Sequence, residues 1–569
     1  MTMGAGDIIL YWLTATRPCA QAAAPHTTSP ARFIRWTVFL IMKIVIADDL
    51  PSSAVHLLQG ISGAEVIAKP GRTKPELLAD LADADALLVR SATKVTKDVL
   101  DAAPKLKIIA RAGAGVDNID LESASAHGVI VTNAPGGNSI SVAEHAMALM
   151  LTLARSVSVA AAAMKEQRWE KKSLTGAELR GKTLGVVGFG RIGQAVAHRA
   201  RAFGMKILAH DPYLAEQVGT EFDAELVDLD RLCAESDYIT LHSPVNAATT
   251  KLFNAERFAK CKRGVRIINT ARGELIDDQA LLAALESGHI GGAGLDVFVK
   301  EPPVDWSLIS HPRVVATPHI AASTTEAQEI VGVDVAEGVR DYLLQGVVRN
   351  AVNFASVPAE EFKRLTPFMD LAKRLGRTLA QLSGGRTQSI GIRYYGSLAE
   401  GPTELLAASV LIGLFEPILS SGVSLVNARA VAAQRGVEIV ETRSTRSRNF
   451  TNLISVKLHT DRGERWVEGT TFEHGGPRLV LLDGVPVEAP LDGTLVVMRN
   501  NDLPGVIGEV GTVLGRHGLN IANFALGRDA NGAVGVVNVD ERTVGEVNET
   551  IVGEIERVPA IRDVWVVRV

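Results

Sequence analysis

Three side chains at the ends of short apolar runs have the types needed for proton and hydride chemistry at a carbon bearing a hydroxyl. They are Arg272 in NTARG, Glu301 in VKEPP and His319 in TPHIA. Oxidation of a 2-hydroxy acid by a nicotinamide cofactor requires a base for the hydroxyl proton, and histidine ionises near neutrality. It requires a carboxylate beside that base to steady the imidazolium and fix its orientation. It also uses a guanidinium that grips the substrate carboxylate in a planar fork and polarises the carbonyl in the reverse direction. His319, Glu301 and Arg272 fill these roles in turn. Singly, each has an ordinary reading: a solvated loop arginine, a turn glutamate before two prolines, a loop histidine. A cofactor signature upstream joins them into one hypothesis.

That signature is Gly188-Phe189-Gly190-Arg191-Ile192-Gly193, which matches G-x-G-x-x-G. With 52 glycines in the chain the motif alone is weak. Its context makes it specific, because it follows the apolar run 184–187 and opens a helical pattern at Gln194. Gly188 permits the tight turn, Gly190 lets backbone approach a pyrophosphate, and Gly193 lets helix and strand pack closely. The helix start offers free N–H groups and partial positive charge to phosphates. Asp211 ends the next apolar run, KILAHD, 18 residues past Gly193. A carboxylate there accepts from a ribose 2′-hydroxyl and repels a 2′-phosphate, so the expected cofactor is NAD rather than NADP.

The elements that must position these residues follow a strand–turn–helix rhythm. From Met42 the runs KIVIA, EVIA, ALLVR, KIIARAG and VIVTNAP alternate with Ala- and Leu-rich helical segments. A second α/β series starts at Lys182 with TLGVVGFG, KILAHD, YITLHSP, VRIINTARG, GAGLDV and VVATPH. Alternating βα units imply parallel sheets covered on both faces, and ligands then bind outside the carboxyl ends of the strands. Residues 140–168 read as one long helix without Gly or Pro. Residues 355–490 are mixed α+β with no evident catalytic cluster. The last 79 residues, 491–569, follow the order β-α-β-β-α-β of a ferredoxin-like unit.

A length of 569 residues allows three to five domains. The net charge of −5 gives no basic field for nucleic acid. Cys19, Cys233 and Cys261 are too few and too far apart for a disulfide framework or a metal site. Residues 1–41 carry Arg17, Arg32 and Arg35 against one acid, Asp7. An organellar signal and a membrane segment are alternatives there. The favoured expectation is a disordered or non-native leader, with the domain beginning at Met42.

The run from Met42 to Gly346 resembles the D-isomer-specific 2-hydroxyacid dehydrogenases, through VVGFGRIG, HDP, INTARGELID, GLDVF, EPP and TPHIAAST in that order. The resemblance implies two Rossmann-like doubly wound domains, one inserted in the other: a substrate-binding domain of 42–139 plus 321–350, and an NAD-binding domain of 140–320. It places the catalytic trio on Arg272, Glu301 and His319. Nicotinamide-side contacts fall on Thr270, Ala271 and Asp296, and His242 and Pro244 of the HSP turn lie near the adenosine. LLVRSATKV, LKIIARAGAGVDNID, NAPGGNSISVAEHA, VSLVNARAVAAQRGVEI and DLPGVIGEVGTVLGRHGLNIA resemble the long-form branch that acts on 3-phosphoglycerate. In that branch an intervening domain (351–490) and an amino-acid-sensing ACT domain (491–569) follow. Arg90, Ser91 and Asn138 are then substrate contacts, while the glycine-rich backbone around Gly113 forms a carboxylate cradle. Arg155 and Lys165 would reach a neighbouring subunit's cleft. Asp502 and Asn520 match positions that hold a serine effector, with Asn500 at a third, altered position. The resemblance implies a cytoplasmic homotetramer that interconverts 3-phosphoglycerate and 3-phosphohydroxypyruvate and is regulated by L-serine. It implies no metal, membrane or nucleic-acid partner. A glyoxylate or hydroxypyruvate reductase, or a noncatalytic NAD-sensing scaffold, are the alternatives.

Overall fold

The protein is described from a computed structural model that covers residues 42–214, 219, 221–354, 357–419, 423–472, 476–540 and 545–569. The expectations for residues 1–41 lie outside the described residues.

The first sheet is parallel and contains β1 (Met42–Ile46), β2 (Ala64–Ala68), β3 (Ala86–Val89), β4 (Ile108–Arg111) and β5 (Ile130–Asn133), in the order β2-β1-β3-β4-β5. Its strands are apolar on both faces because both are covered. Val45, Leu87 and Val89 join one core; Ile44, Ile46, Ala86 and Leu88 join the other. From β5 the chain enters helix α1 (Ser139–Arg155) and leaves this half.

The second sheet has seven parallel strands: β6 (Thr183–Val187), β7 (Lys206–His210), β8 (Glu225–Leu226), β9 (Tyr238–Leu241), β10 (Val265–Asn269), β11 (Ile290–Leu295) and β12 (Val314–Ala316). Their order is β12-β11-β10-β9-β6-β7-β8. The order reverses between β6 and β9, and this crevice is where such sheets take a dinucleotide. Helix α2 (Arg191–Ala202) follows β6 directly. Helix α3 (Thr325–Gln345) then returns to the first sheet, where Val331, Val335, Ala336 and Val339 pack against Ile44, Leu58 and Ile130. Thr324 caps its start by accepting from the Ala327 amide, and Gly346 ends it at φ +70°. One half is thereby inserted in the other.

The expected single helix over 140–168 is broken. Ser156 takes a left-handed φ of 50°, and a second helix, Val157–Lys165, leaves at 67° to the first. Helix α1 is buried along one side against the second sheet, while Val157, Val159 and Met164 are exposed. Tertiary packing therefore ends the helix where neither Gly nor Pro does. Among the described residues no single helix is long and apolar enough to cross a membrane.

The C-terminal half has a six-stranded sheet: β13 (Thr387–Tyr395), β14 (Glu438–Ser444), β15 (Leu453–Thr460), β16 (Gly463–Phe472), β17 (Gly476–Leu482) and β18 (Val485–Pro490), in the order β14-β13-β15-β16-β17-β18. Helix α4 (Ala359–Leu382) packs on it. A four-stranded antiparallel sheet follows: β19 (Thr494–Asn500), β20 (Asn520–Asp529), β21 (Gly532–Asp540) and β22 (Ile561–Arg568), ordered β20-β21-β19-β22. The two units share one core. Leu495, Val497, Val534, Val536 and Val567 of the last sheet pack with Leu371, Leu375 and Val485 of the preceding unit. Gln381 exchanges two hydrogen bonds with the Arg568 backbone at 3.0 and 2.9 Å, and Arg465 lies over the Trp565 ring at 4.5 Å.

Candidate active site

The loops at the carboxyl ends of both parallel sheets carry the expected residues. His319 follows β12, and its Nδ1 lies 2.7 Å from Glu301 Oε2. The side chains are 47% and 37% exposed, so the pair is accessible to a ligand. With Nδ1 engaged, Nε2 is the nitrogen left for proton transfer. His319 has φ +54°, a left-handed conformation that a non-glycine residue adopts only when its surroundings impose it.

Asp296 imposes it. This residue is 0% exposed. Its carboxylate accepts from Thr317 Oγ1 at 2.6 Å, the Ile320 amide at 2.9 Å and the Ala321 amide at 2.8 Å. Its own carbonyl accepts from the His319 amide at 2.8 Å. His145, on α1, sits 3.0 Å from Thr317 Oγ1 and 3.4 Å from Asp296 Oδ1. Burial alone would raise the Asp296 carboxyl. Hydrogen bonds from His145, Thr317 and the two amides outweigh it and hold the group below the ordinary carboxylate range. A carboxylate with no exposed surface, committed to the 317–321 loop, positions His319.

Around the cofactor signature, Gly188 has φ +88°, and a side chain there would press on the His242 carbonyl. A side chain on Gly193 would overlap the Gly188 carbonyl oxygen, whereas one on Gly190 would meet nothing within 4 Å. The middle glycine therefore faces open space at the start of α2, where a pyrophosphate fits. Arg191 opens that helix and lies against Gly136 across the cleft; Ile192 packs inward. Asp211 accepts from the Phe189 amide and the Tyr213 amide, each at 3.0 Å, which ties this carboxylate to the turn itself. His242 bonds Thr240 Oγ1 at 2.9 Å, and burial pushes its imidazole down to about 3, so it stays neutral. Pro244 beside it is exposed. Asn269 shapes the 270–272 turn by accepting from the Ala271 amide at 3.0 Å and donating to the Arg272 carbonyl at 2.8 Å. Thr270 Oγ1 is buried without a protein partner among the described residues. An open glycine cradle, a carboxylate at the end of β7 and an orphan hydroxyl fit a dinucleotide.

On the substrate side, a pocket of about 50 Å³ is lined by Arg90, Gly113 and Asn138, with Ala322 and Gln328 opposite. Ser91 is exposed and does not line it. Asp48 fixes the Arg90 loop by accepting from the Arg90 amide at 2.5 Å and from Thr93 Oγ1 at 2.6 Å. Sequence reasoning missed Arg111. It ends β4 as Arg90 follows β3, a charged residue closing an apolar run, and the same argument would have found it. Burial, then repulsion from Arg272, lowers its pKa from the ordinary arginine value. Asp117 and His145, also missed, left no sequence signal.

In the loop after β19 Asp502 has φ +53° and pairs with Arg528 at 2.9 Å. Asn500 is buried, its Oδ1 accepting from the Asp502 amide at 2.8 Å. Asn520 is exposed at the start of β20. The structure thus ties Asp502 to Asn500 and Arg528, and gives no bond joining it to Asn520. Arg155 and Lys165 lie on opposite sides of the bend at Ser156.

Comparison with known proteins adds three family matches. Residues 147–321 match the D-isomer specific 2-hydroxyacid dehydrogenase NAD binding domain, 364–483 the D-3-phosphoglycerate dehydrogenase intervening domain, and 494–560 the ACT domain. The D-3-phosphoglycerate dehydrogenase of Methanocaldococcus jannaschii is 42% identical over 93% of this chain and 100% of its own length. That of Bacillus subtilis is 39% identical over 92% and 98%. Among solved structures, a glyoxylate reductase from Paecilomyes thermophila is 31% identical with a TM-score of 0.50, and covers 55% of this chain and 98% of its own.

Proposed function

The chain belongs to the D-3-phosphoglycerate dehydrogenase family, and on that premise we propose that it catalyses the NAD-dependent oxidation of 3-phospho-D-glycerate to 3-phosphohydroxypyruvate, the first step of the phosphorylated route to L-serine. The observation that carries the chemistry is the 2.7 Å pairing of His319 with Glu301, on the same carboxyl-end edge of the second sheet as Arg272. Relatives with this activity align over nine-tenths of the chain, while the glyoxylate reductase accounts for 55% of it.

Bound NAD supplies the hydride acceptor for C2. His319 Nε2 takes the C2 hydroxyl proton, and Glu301 stabilises the resulting imidazolium through Nδ1. Arg272 holds the substrate carboxylate and, in the reverse direction, polarises the C2 carbonyl. Arg90, Arg111 and the backbone at Gly113 receive the remaining negative charge. Asp211 selects the 2′-hydroxyl of the ribose. The ACT unit is an amino-acid-sensing module, and in this reading it binds L-serine near Asp502 and Asn520 in a cytoplasmic homotetramer.

The test is NADH formation by the purified chain with 3-phosphoglycerate, and NADH consumption with 3-phosphohydroxypyruvate. His319→Ala should lower turnover about 10²–10⁴-fold while NADH binding survives. Turnover of glyoxylate but of neither phosphorylated acid would reject the substrate. Near-normal turnover by His319→Ala would reject the mechanism. Absence of inhibition by millimolar L-serine would reject the effector.

A further inference from the structure

The guanidinium of Arg272 already holds a carboxylate. Nε and Nη2, which together form one edge of the fork, both donate to a single oxygen, Asp117 Oδ2, at 3.1 and 2.9 Å. Nη1 donates to the Ala271 carbonyl at 2.6 Å. The Nε–Nη2 edge is one that takes a carboxylate in bidentate fashion. Asp117 comes from the opposite half of the molecule, in the loop after β4. The approach depends on Gly115, where any side chain would overlap Arg272 Nη2.

The two ends of this pair are held very differently. Arg272 is 32% exposed and braced by its own turn, whereas the Asp117 side chain is 71% exposed. Among the described residues no donor besides Arg272 bonds that carboxylate. Asp48, the other acid near the arginine cluster, is committed to the Arg90 and Thr93 amides and to Thr93 Oγ1. Burial is the main cause that lowers the Arg111 pKa, and the nearby charges of Arg272 and Arg90 add to it. Three guanidiniums thus converge near one acid that is free to swing into solvent.

We propose that Asp117 is a displaceable internal carboxylate. It occupies the Arg272 fork before substrate arrives, offsets the repulsion among the arginines, and leaves when the substrate carboxylate takes the same edge. The proposal rests on Arg272 being the carboxylate fork. Because Asp117 competes with substrate, it raises the apparent KM and shields the cleft from stray inorganic anions. Exposed ion pairs of this kind shift a binding constant by about two- to fivefold.

The test uses the full chain with Asp117→Asn and, as a second variant, Asp117→Ala. KM and kcat are measured for 3-phosphoglycerate and 3-phosphohydroxypyruvate. Sulfate binding to the NADH-loaded enzyme is measured by calorimetry. Expected is a two- to fivefold fall in KM and a matching gain in sulfate affinity in both variants. A KM that rises together with a falling kcat would overturn the proposal and make Asp117 a brace for Arg272. So would KM and sulfate affinity equal to wild type. Should the wild-type chain turn over neither phosphorylated acid, the functional reading fails while sulfate affinity in Asp117→Asn still decides whether Asp117 occludes the fork.

Discussion

Asp296→Asn is the sharpest probe of how the fold holds His319, the proposed base. Three donors converge on the carboxylate: Thr317 Oγ1, the Ile320 amide and the Ala321 amide, with His145 close by. An asparagine keeps its oxygen toward Thr317 and Ile320, which leaves its NH₂ facing the Ala321 amide. One charge-assisted bond, worth about 1.5–3 kcal/mol, becomes a donor–donor clash. The same loop keeps His319 at φ +54°, which by itself costs roughly 1–2 kcal/mol in a non-glycine residue. Loss of about 2–3 kcal/mol of support therefore lets the loop leave its working conformation most of the time. At about 1.4 kcal/mol per decade, kcat should fall about 30- to 100-fold. NADH affinity, read by fluorescence titration, should change little, because no surface of Asp296 is exposed to a ligand. The carboxyl is held below its ordinary range in the folded chain, so its stabilisation is present above about pH 4 and is lost as pH falls through the folded value. Urea unfolding of Asp296→Asn should accordingly lose most of that acid-limb dependence. A variant with normal kcat but weakened NADH binding would refute the reasoning and show that Asp296 acts on the cofactor instead.

Two other outcomes follow from the geometry. Asp211→Ala should weaken NAD binding and relax discrimination against NADP, since both the acceptor for the 2′-hydroxyl and the charge opposing a 2′-phosphate go; an unchanged NAD/NADP ratio of kcat/KM would remove Asp211 from that role. A 491–569 fragment should aggregate or stay molten, because Leu495, Val497, Val534, Val536 and Val567 lose the partners that bury them; a monomeric fragment with sharp, dispersed amide resonances would contradict the shared core.

The local elements were legible because their signals are local. β-branched runs ending in Gly, Pro or acids marked the parallel strands, and the spacing of Gly188, Gly190, Gly193 and Asp211 marked the dinucleotide crevice. The pairing of His319 with Glu301 was legible for a related reason: doubly wound sheets gather strand ends on one edge, which brings residues far apart in sequence but alike in position together. The order β-α-β-β-α-β likewise anticipated the last sheet. What the chain does once folded on itself was not legible. Helix 140–168 breaks at Ser156 without a breaker residue, because packing on the second sheet holds only its first part. The last two units merge into one core because their apolar faces match, and alternating Val and Leu state that a face is buried without naming what buries it.

The division runs through the active site as well. Residue types and spacing by themselves marked His319, Glu301 and Arg272 as one candidate set, since each follows a strand that delivers it to the same edge. Tertiary structure alone decided how each is held. Asp296 is the buried anchor of the His319 loop, because full burial obliges a carboxylate to find its donors within the protein. Asp117, unremarkable in sequence, came to face Arg272 because two halves joined by α1 and α3 close upon each other. Hydrogen bonds and charge pairs between segments 155 residues apart depend on distances that only the folded chain sets, and no periodicity encodes them.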